Sequence, residues 1–149
     1  MKQTTLCYIE KDDAYLMLHR VKKENDYNAG KWIGVGGKQE PGETIEECLA
    51  REVLEETGLI IEEYQKRGVV TFISDLYGSE EMHLYTVTSF SGTMTEDCNE
   101  GVLKWVPKKE VLDLPLWEGD YYFLKPLIAG ESNINMVLEY QGDTLISVR

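Results

Sequence analysis

GKQEPGETIEECLAREVLEETGL, residues 37–59, is the stretch on which the reading of this chain turns. Pro41 and Gly42 interrupt what precedes it, and Thr44 with Glu47 forms an S/T-x-x-E capping box that satisfies free amide donors at a helix start. Gly58 stands just past the end, where a left-handed residue is usual, so the spacing predicts a helix over about 44–57. On a wheel with Ile45 at zero, Leu49 falls near ~40° and Cys48 near ~300°, while Glu52, Glu55 and Glu56 fall near ~340°, ~280° and ~20°. Three carboxylates therefore continue the apolar stripe, where packing favours leucine. The competing interpretation is an ordinary solvated acidic face, on which like-charge pairs cost only about 0.2–0.5 kcal/mol each. Partly desolvated, the same repulsion grows several-fold, and a hard divalent cation such as Mg²⁺, which takes carboxylate, carbonyl and water oxygens, relieves it.

The rest of the 149 residues bounds what such a site can serve. With 42% hydrophobic and 28% charged residues the chain is expected to fold as one domain, 1–149, with a sizeable core. Its net charge of -12 opposes binding of nucleic acid polymers and anionic membranes, so a small polyanionic substrate has to be met by local cations. Cys7, Cys48 and Cys98 are odd in number and scattered, which fits reduced thiols better than a disulfide framework or a zinc site. MKQTTLCYIEKDD has no apolar signal segment and no uncharged apolar run approaches 18 residues, so a soluble, cytoplasmic protein is expected.

Strands are expected at 4–9 and 14–20, joined by a hairpin at KDD, then at 68–73 and 82–90 around a loop at Tyr77 and Gly78, and at 102–107. LII after Gly58 leads into new strands; KKEVLDL and GDYYFLKPLI read as short helices, and INMVLEY with TLISVR as a closing strand pair about QGD. The sum is a mixed sheet carrying a few helices. GVGGK fails as a P-loop, because Trp32 and Gln39 stand where glycine and Ser/Thr are required.

Residues 37–59 also match G-x5-E-x7-R-E-U-x-E-E-x-G-U, U being a bulky apolar residue, at Gly37, Glu43, Arg51, Glu52, Val53, Glu55, Glu56, Gly58 and Leu59. At background residue frequencies such a match arises by chance on the order of once in ten million chains. The pattern resembles the Nudix box. The resemblance implies an α/β/α sandwich with a mixed central sheet, Mg²⁺ or Mn²⁺ as cofactor, and hydrolysis of a nucleoside diphosphate linked to another moiety. It implies metal ligation by Gly36, Glu52, Glu55 and Glu56, with Arg51 fixing a carboxylate rotamer and Glu52 as the usual general base. Spacing alone does not separate base from ligand among the three glutamates.

AGKWIGVGGK, CNEGVLKWVP, PLWEGDYYF and QGDTLISVR extend the likeness to the MutT-like branch, similar to oxidised purine nucleoside triphosphate diphosphatases that cleave 8-oxo-dGTP. That resemblance implies Glu100 as a further metal ligand, Lys23 and Lys38 near the phosphates, Trp117 and Asp120 bounding the base, and Tyr27 and Phe72 lining the same pocket. Against it, Trp117 and Asp120 also suit a core indole and an N-cap. Two positions depart from the mammalian members: Ile33 stands where they carry asparagine, and Gly119 replaces the first of two adjacent acids. Weaker reading of the base is expected. Tyr77, 18 residues past Leu59, suits a dinucleoside polyphosphate hydrolase instead; a non-catalytic ligand-sensing module is the other alternative, disfavoured by an intact set of carboxylates.

Overall fold

The structure, a computed structural model, describes residues 1–22, 25–95, 97–98 and 100–149, with 97 and 98 described by their backbone. β1 (Lys2–Lys11) and β2 (Ala14–His19) form the expected hairpin, turning on Asp12 and Asp13 at φ 51° and 62°, the left-handed pair a tight two-residue turn demands. β3 (Trp32–Ile33) pairs with β2, and α1 (Ile45–Thr57) follows. Its box is formed as expected: Glu47 N–H donates to Thr44 Oγ1 at 3.1 Å and Thr44 N–H to Glu47 Oε1 at 2.8 Å. Gly58 closes the helix at φ 79°, its N–H donating to Leu54 O.

The chain continues as β4 (Leu59–Ser74), β5 (Glu80–Gly92), β6 (Asp97–Cys98), β7 (Gly101–Pro107), α2 (Lys108–Val111), α3 (Asp120–Ile128), β8 (Met136–Gln141) and β9 (Thr144–Val148). Among the described residues nine strands make one sheet in the order β6-β7-β2-β1-β5-β4-β8-β9, with β3 beside β2. It is mixed: β1 runs parallel to β5 and β4 parallel to β8, while the other named pairs are antiparallel.

Side-chain alternation sends the strands' apolar residues to two faces. Leu6 and Tyr8 of β1, with Tyr15 and Met17 of β2, meet Phe123, Leu124 and Leu127 of α3. Cys7, Ile9, Leu16 and Leu18 meet Leu49 and Val53 of α1 on the other face. Helices thus cover both faces, which is the expected sandwich. No helix among the described residues is long and apolar enough to cross a membrane.

Two elements differ from expectation. β4 is one strand of 16 residues rather than a new beginning at 68, because its polar middle, EEYQKR, lies mostly exposed and needs no alternation; bulges between Ile61 and Gly68 bend it. The helix expected over 108–114 stops at Val111, since Pro115 disfavours helical geometry at Leu114.

Candidate active site

Residues 34–38 lie against β1, Thr5 N–H donating to Gly37 O at 2.9 Å and Cys7 N–H to Val35 O at 2.7 Å. Both Gly36 and Gly37 are thereby held over α1. A Cβ on Gly37 would lie 2.6 Å from each carboxylate oxygen of Glu52, so a side chain there would displace that carboxylate from its observed position. Arg51 organises this end. It donates to both oxygens of Glu43 at 2.7 and 3.0 Å, to Glu52 Oε1 at 2.7 Å and to Lys38 O at 3.0 Å. The guanidinium beside Glu43 holds that carboxyl near 2, well below its ordinary value.

Glu56 is 9% exposed and accepts from Gly36 N–H at 3.1 Å. Burial first, then the negative charge of Glu100, pushes its carboxyl well above the ordinary range. Burial also raises Glu52, opposed by its hydrogen bond from Arg51. Glu55 breaks from the pair: its side chain is 59% exposed and meets Arg51 at 3.3 Å. At ~280° on the wheel it lies on the margin of the buried stripe, so the expectation that three glutamates face inward holds for two.

One cleft of about 410 Å³ joins this end to an aromatic end. Glu52, Glu56, Glu100, Gly36 and Lys38 line the first, and Tyr27, Phe72, Trp117 and Asp120 the second. Trp117 meets Tyr140 edge-on at 5.6 Å, and its Nε1 donates to Asn28 Oδ1 at 2.7 Å. Asp120 is 5% exposed and not an N-cap; Gly119 holds that position. Burial raises the Asp120 carboxyl to about 7, with Lys31 pulling the other way. Tyr27 stacks on Tyr77 at 4.9 Å across the cleft mouth. Of the expected site residues, Arg51 and Glu55 do not line the cleft, and Lys23 lies outside the described residues.

Arg20, Asn28 and Tyr140 are among the cleft residues that sequence reasoning missed. Arg20, buried, donates to Asp26 Oδ2 at 2.8 Å and Glu100 Oε2 at 3.1 Å, holding the loop acid in place. A cation ending the apolar run AYLMLH was the available signal. Asn28 sits in a polar loop without one, and Tyr140 looked like any strand aromatic.

The donor set at the acid end fits a hard cation. Glu56 and Glu52 are carboxylates kept near one another against their repulsion, with Glu100 adding a third negative charge. Among the described residues no three such side chains form a closed cage.

Acidic and cationic side chains share one cleft with flat aromatic walls, an arrangement suited to a small ligand that carries both charge and a planar ring. The chain belongs to the Nudix family, whose NUDIX domain model matches residues 2–127. It is 31% identical to the Nudix hydrolase YvcI of Bacillus subtilis (strain 168), over 100% of this chain and 94% of that one. It is 33% identical to the oxidized purine nucleoside triphosphate hydrolase of Mus musculus, over 84% of this chain and 80% of that one. The crystal structure of the mutator MutT protein from Bacillus halodurans superposes with a TM-score of 0.89 at 29% identity, covering 100% of this chain and 97% of that one. The protein is accordingly a Nudix pyrophosphohydrolase, a family that generally uses divalent metals.

Proposed function

We propose that the chain hydrolyses purine nucleoside triphosphates, oxidised ones such as 8-oxo-dGTP among them, to nucleoside monophosphate and pyrophosphate with Mg²⁺ or Mn²⁺. The observation that carries this reading is one continuous cleft lined by Glu52, Glu56, Glu100 and Lys38 as well as by Trp117 and Asp120. The mouse relative's substrate class supports it.

Glu56, Glu100 and the Gly36 carbonyl would hold the cation, while Glu52 serves as the base and Glu55 stays outside the cleft on Arg51. Bound there, it supplies charge neutralisation for the phosphates and a more acidic water. Lys38 and Lys23 attract the triphosphate. Trp117, Phe72 and Tyr27 offer flat apolar walls to the base, and Asp120 bonds its edge. Arg51 grips one oxygen of Glu52, leaving the other to take a proton from the attacking water. Attack on phosphorus breaks the bond between the α and β phosphates, releasing pyrophosphate.

The test compares kcat/KM for 8-oxo-dGTP, dGTP, a diadenosine polyphosphate and ADP-ribose with Mg²⁺, each repeated after chelation. Purine triphosphates are expected to lead, and chelation to abolish turnover. A preference for the dinucleotide would overturn the substrate class, turnover undiminished by chelation would remove the metal, and no turnover at all would favour a ligand-sensing module.

A further inference from the structure

We propose that Tyr140 reads the purine edge, its hydroxyl donating to the 6-oxo oxygen of the base. The inference rests on the purine reading above and names the residue that supplies polar recognition where Ile33 and Gly119 bring none.

Tyr140 lines the cleft from β8, 7% exposed, between Phe72 at 6.3 Å and Trp117 at 5.6 Å. Its hydroxyl accepts from Gly119 N–H at 2.7 Å. A phenol oxygen that accepts one hydrogen bond still carries a proton to donate, and among the described residues no acceptor takes it. The neighbouring indole N–H is already committed to Asn28. Asp120 lines the same cleft, and after burial its charge helps to raise the Tyr140 hydroxyl, which keeps its proton.

Gly119 belongs to the same device. A Cβ there would lie 2.6 Å from Tyr140 Oη and 2.8 Å from Leu138 Cδ1. A side chain at 119 and the observed position of Tyr140 are therefore mutually exclusive: the acid that is missing from 119 makes room for the hydroxyl. A buried donor aimed at a substrate acceptor discriminates strongly, because an analogue lacking that acceptor leaves it unpaired. A 6-oxopurine supplies the acceptor; a 6-aminopurine presents a donor in its place.

The experiment measures kcat/KM for dGTP, dITP and dATP on the full chain with Mg²⁺, together with calorimetric binding of dGMP and dAMP. The wild type should prefer dGTP and dITP over dATP. Tyr140→Phe keeps the ring and should lower both 6-oxo substrates about tenfold or more while leaving dATP within about twofold. Gly119→Ala, which displaces the hydroxyl, should shift the same ratio and weaken dGMP more than dAMP, serving as the second variant if Tyr140→Phe folds poorly. Loss of the Gly119 N–H acceptor is common to all substrates, so a purely structural role lowers all three equally. An unchanged ratio, equal losses, or a wild type without 6-oxo preference each overturns the role of Tyr140 while leaving purine hydrolysis standing. Failure of the wild type to bind or hydrolyse any purine nucleotide removes both readings.

Discussion

The two ends of the cleft are built in opposite ways. The acid end comes mainly from one continuous segment: Gly36 to Glu56 is a loop and a helix, wired by Arg51 to Glu43, Glu52 and Lys38 O. The aromatic end is assembled from five separated pieces, with Tyr27, Phe72, Tyr77, Trp117 and Tyr140 converging from three loops and two strands. Chemistry that needs carboxylates held rigidly at short range is met locally, where helical geometry sets the spacing. A pocket that must wrap a flat ring has to be enclosed from several sides, which no single segment does. Substitutions at the first end should therefore act on turnover, and those at the second on recognition.

The largest expected effect is at the acid end. Glu52→Gln should lower kcat by about 10²–10⁴ with an unchanged far-UV spectrum and little change in KM; near-normal kcat would remove the base from this position. Next, Arg51→Lys keeps the charge but not the fork that joins Glu43, Glu52 and Lys38 O, and should lower kcat by about 10–100-fold. A variant indistinguishable from wild type would show that the network does not orient Glu52. At the other end, Trp117→Ala should raise KM for a purine triphosphate by about tenfold while kcat stays within about threefold. A fall in kcat alone would break the division of labour between the two ends.

The smallest effect is on stability. The Asp120 carboxyl is raised from 3.8 to about 7 in the folded protein. The folded state thus holds this proton more tightly than the unfolded chain, so its contribution is complete below about pH 3.8 and is lost as pH rises through about 7. Asp120→Asn cannot titrate. The difference in Tm, wild type minus variant, should accordingly fall between about pH 4 and 8, and a flat difference would show that Asp120 is better solvated than its burial implies.

How far each region could be read in advance follows from the same contrast. Thr44, Glu47 and Gly58 marked the helix within a residue of its observed ends, because a capping box and a left-handed cap are contacts over three or four residues. Leu6, Cys7, Tyr8 and Ile9 alternate between the two cores as a strand must. Where local rules ran out, expectation drifted: the exposed middle of β4 carried no period, and the buried stripe of α1 was drawn one glutamate too wide at Glu55. Arg20 and Asn28 could not be placed, since their partners Glu100 and Trp117 lie 80 and 89 residues away.

By itself the sequence determined the covalent pattern that holds acids at helical spacing, the caps that start and stop that helix, and the family to which such a pattern belongs. Tertiary structure alone decided which carboxylates are desolvated, how Arg20 holds Glu100, and that Gly119 leaves room for the Tyr140 hydroxyl. The physical reason is range. Helix geometry and capping act over a few residues and are written in order along the chain, whereas burial and close approach depend on which distant segments the sheet brings side by side.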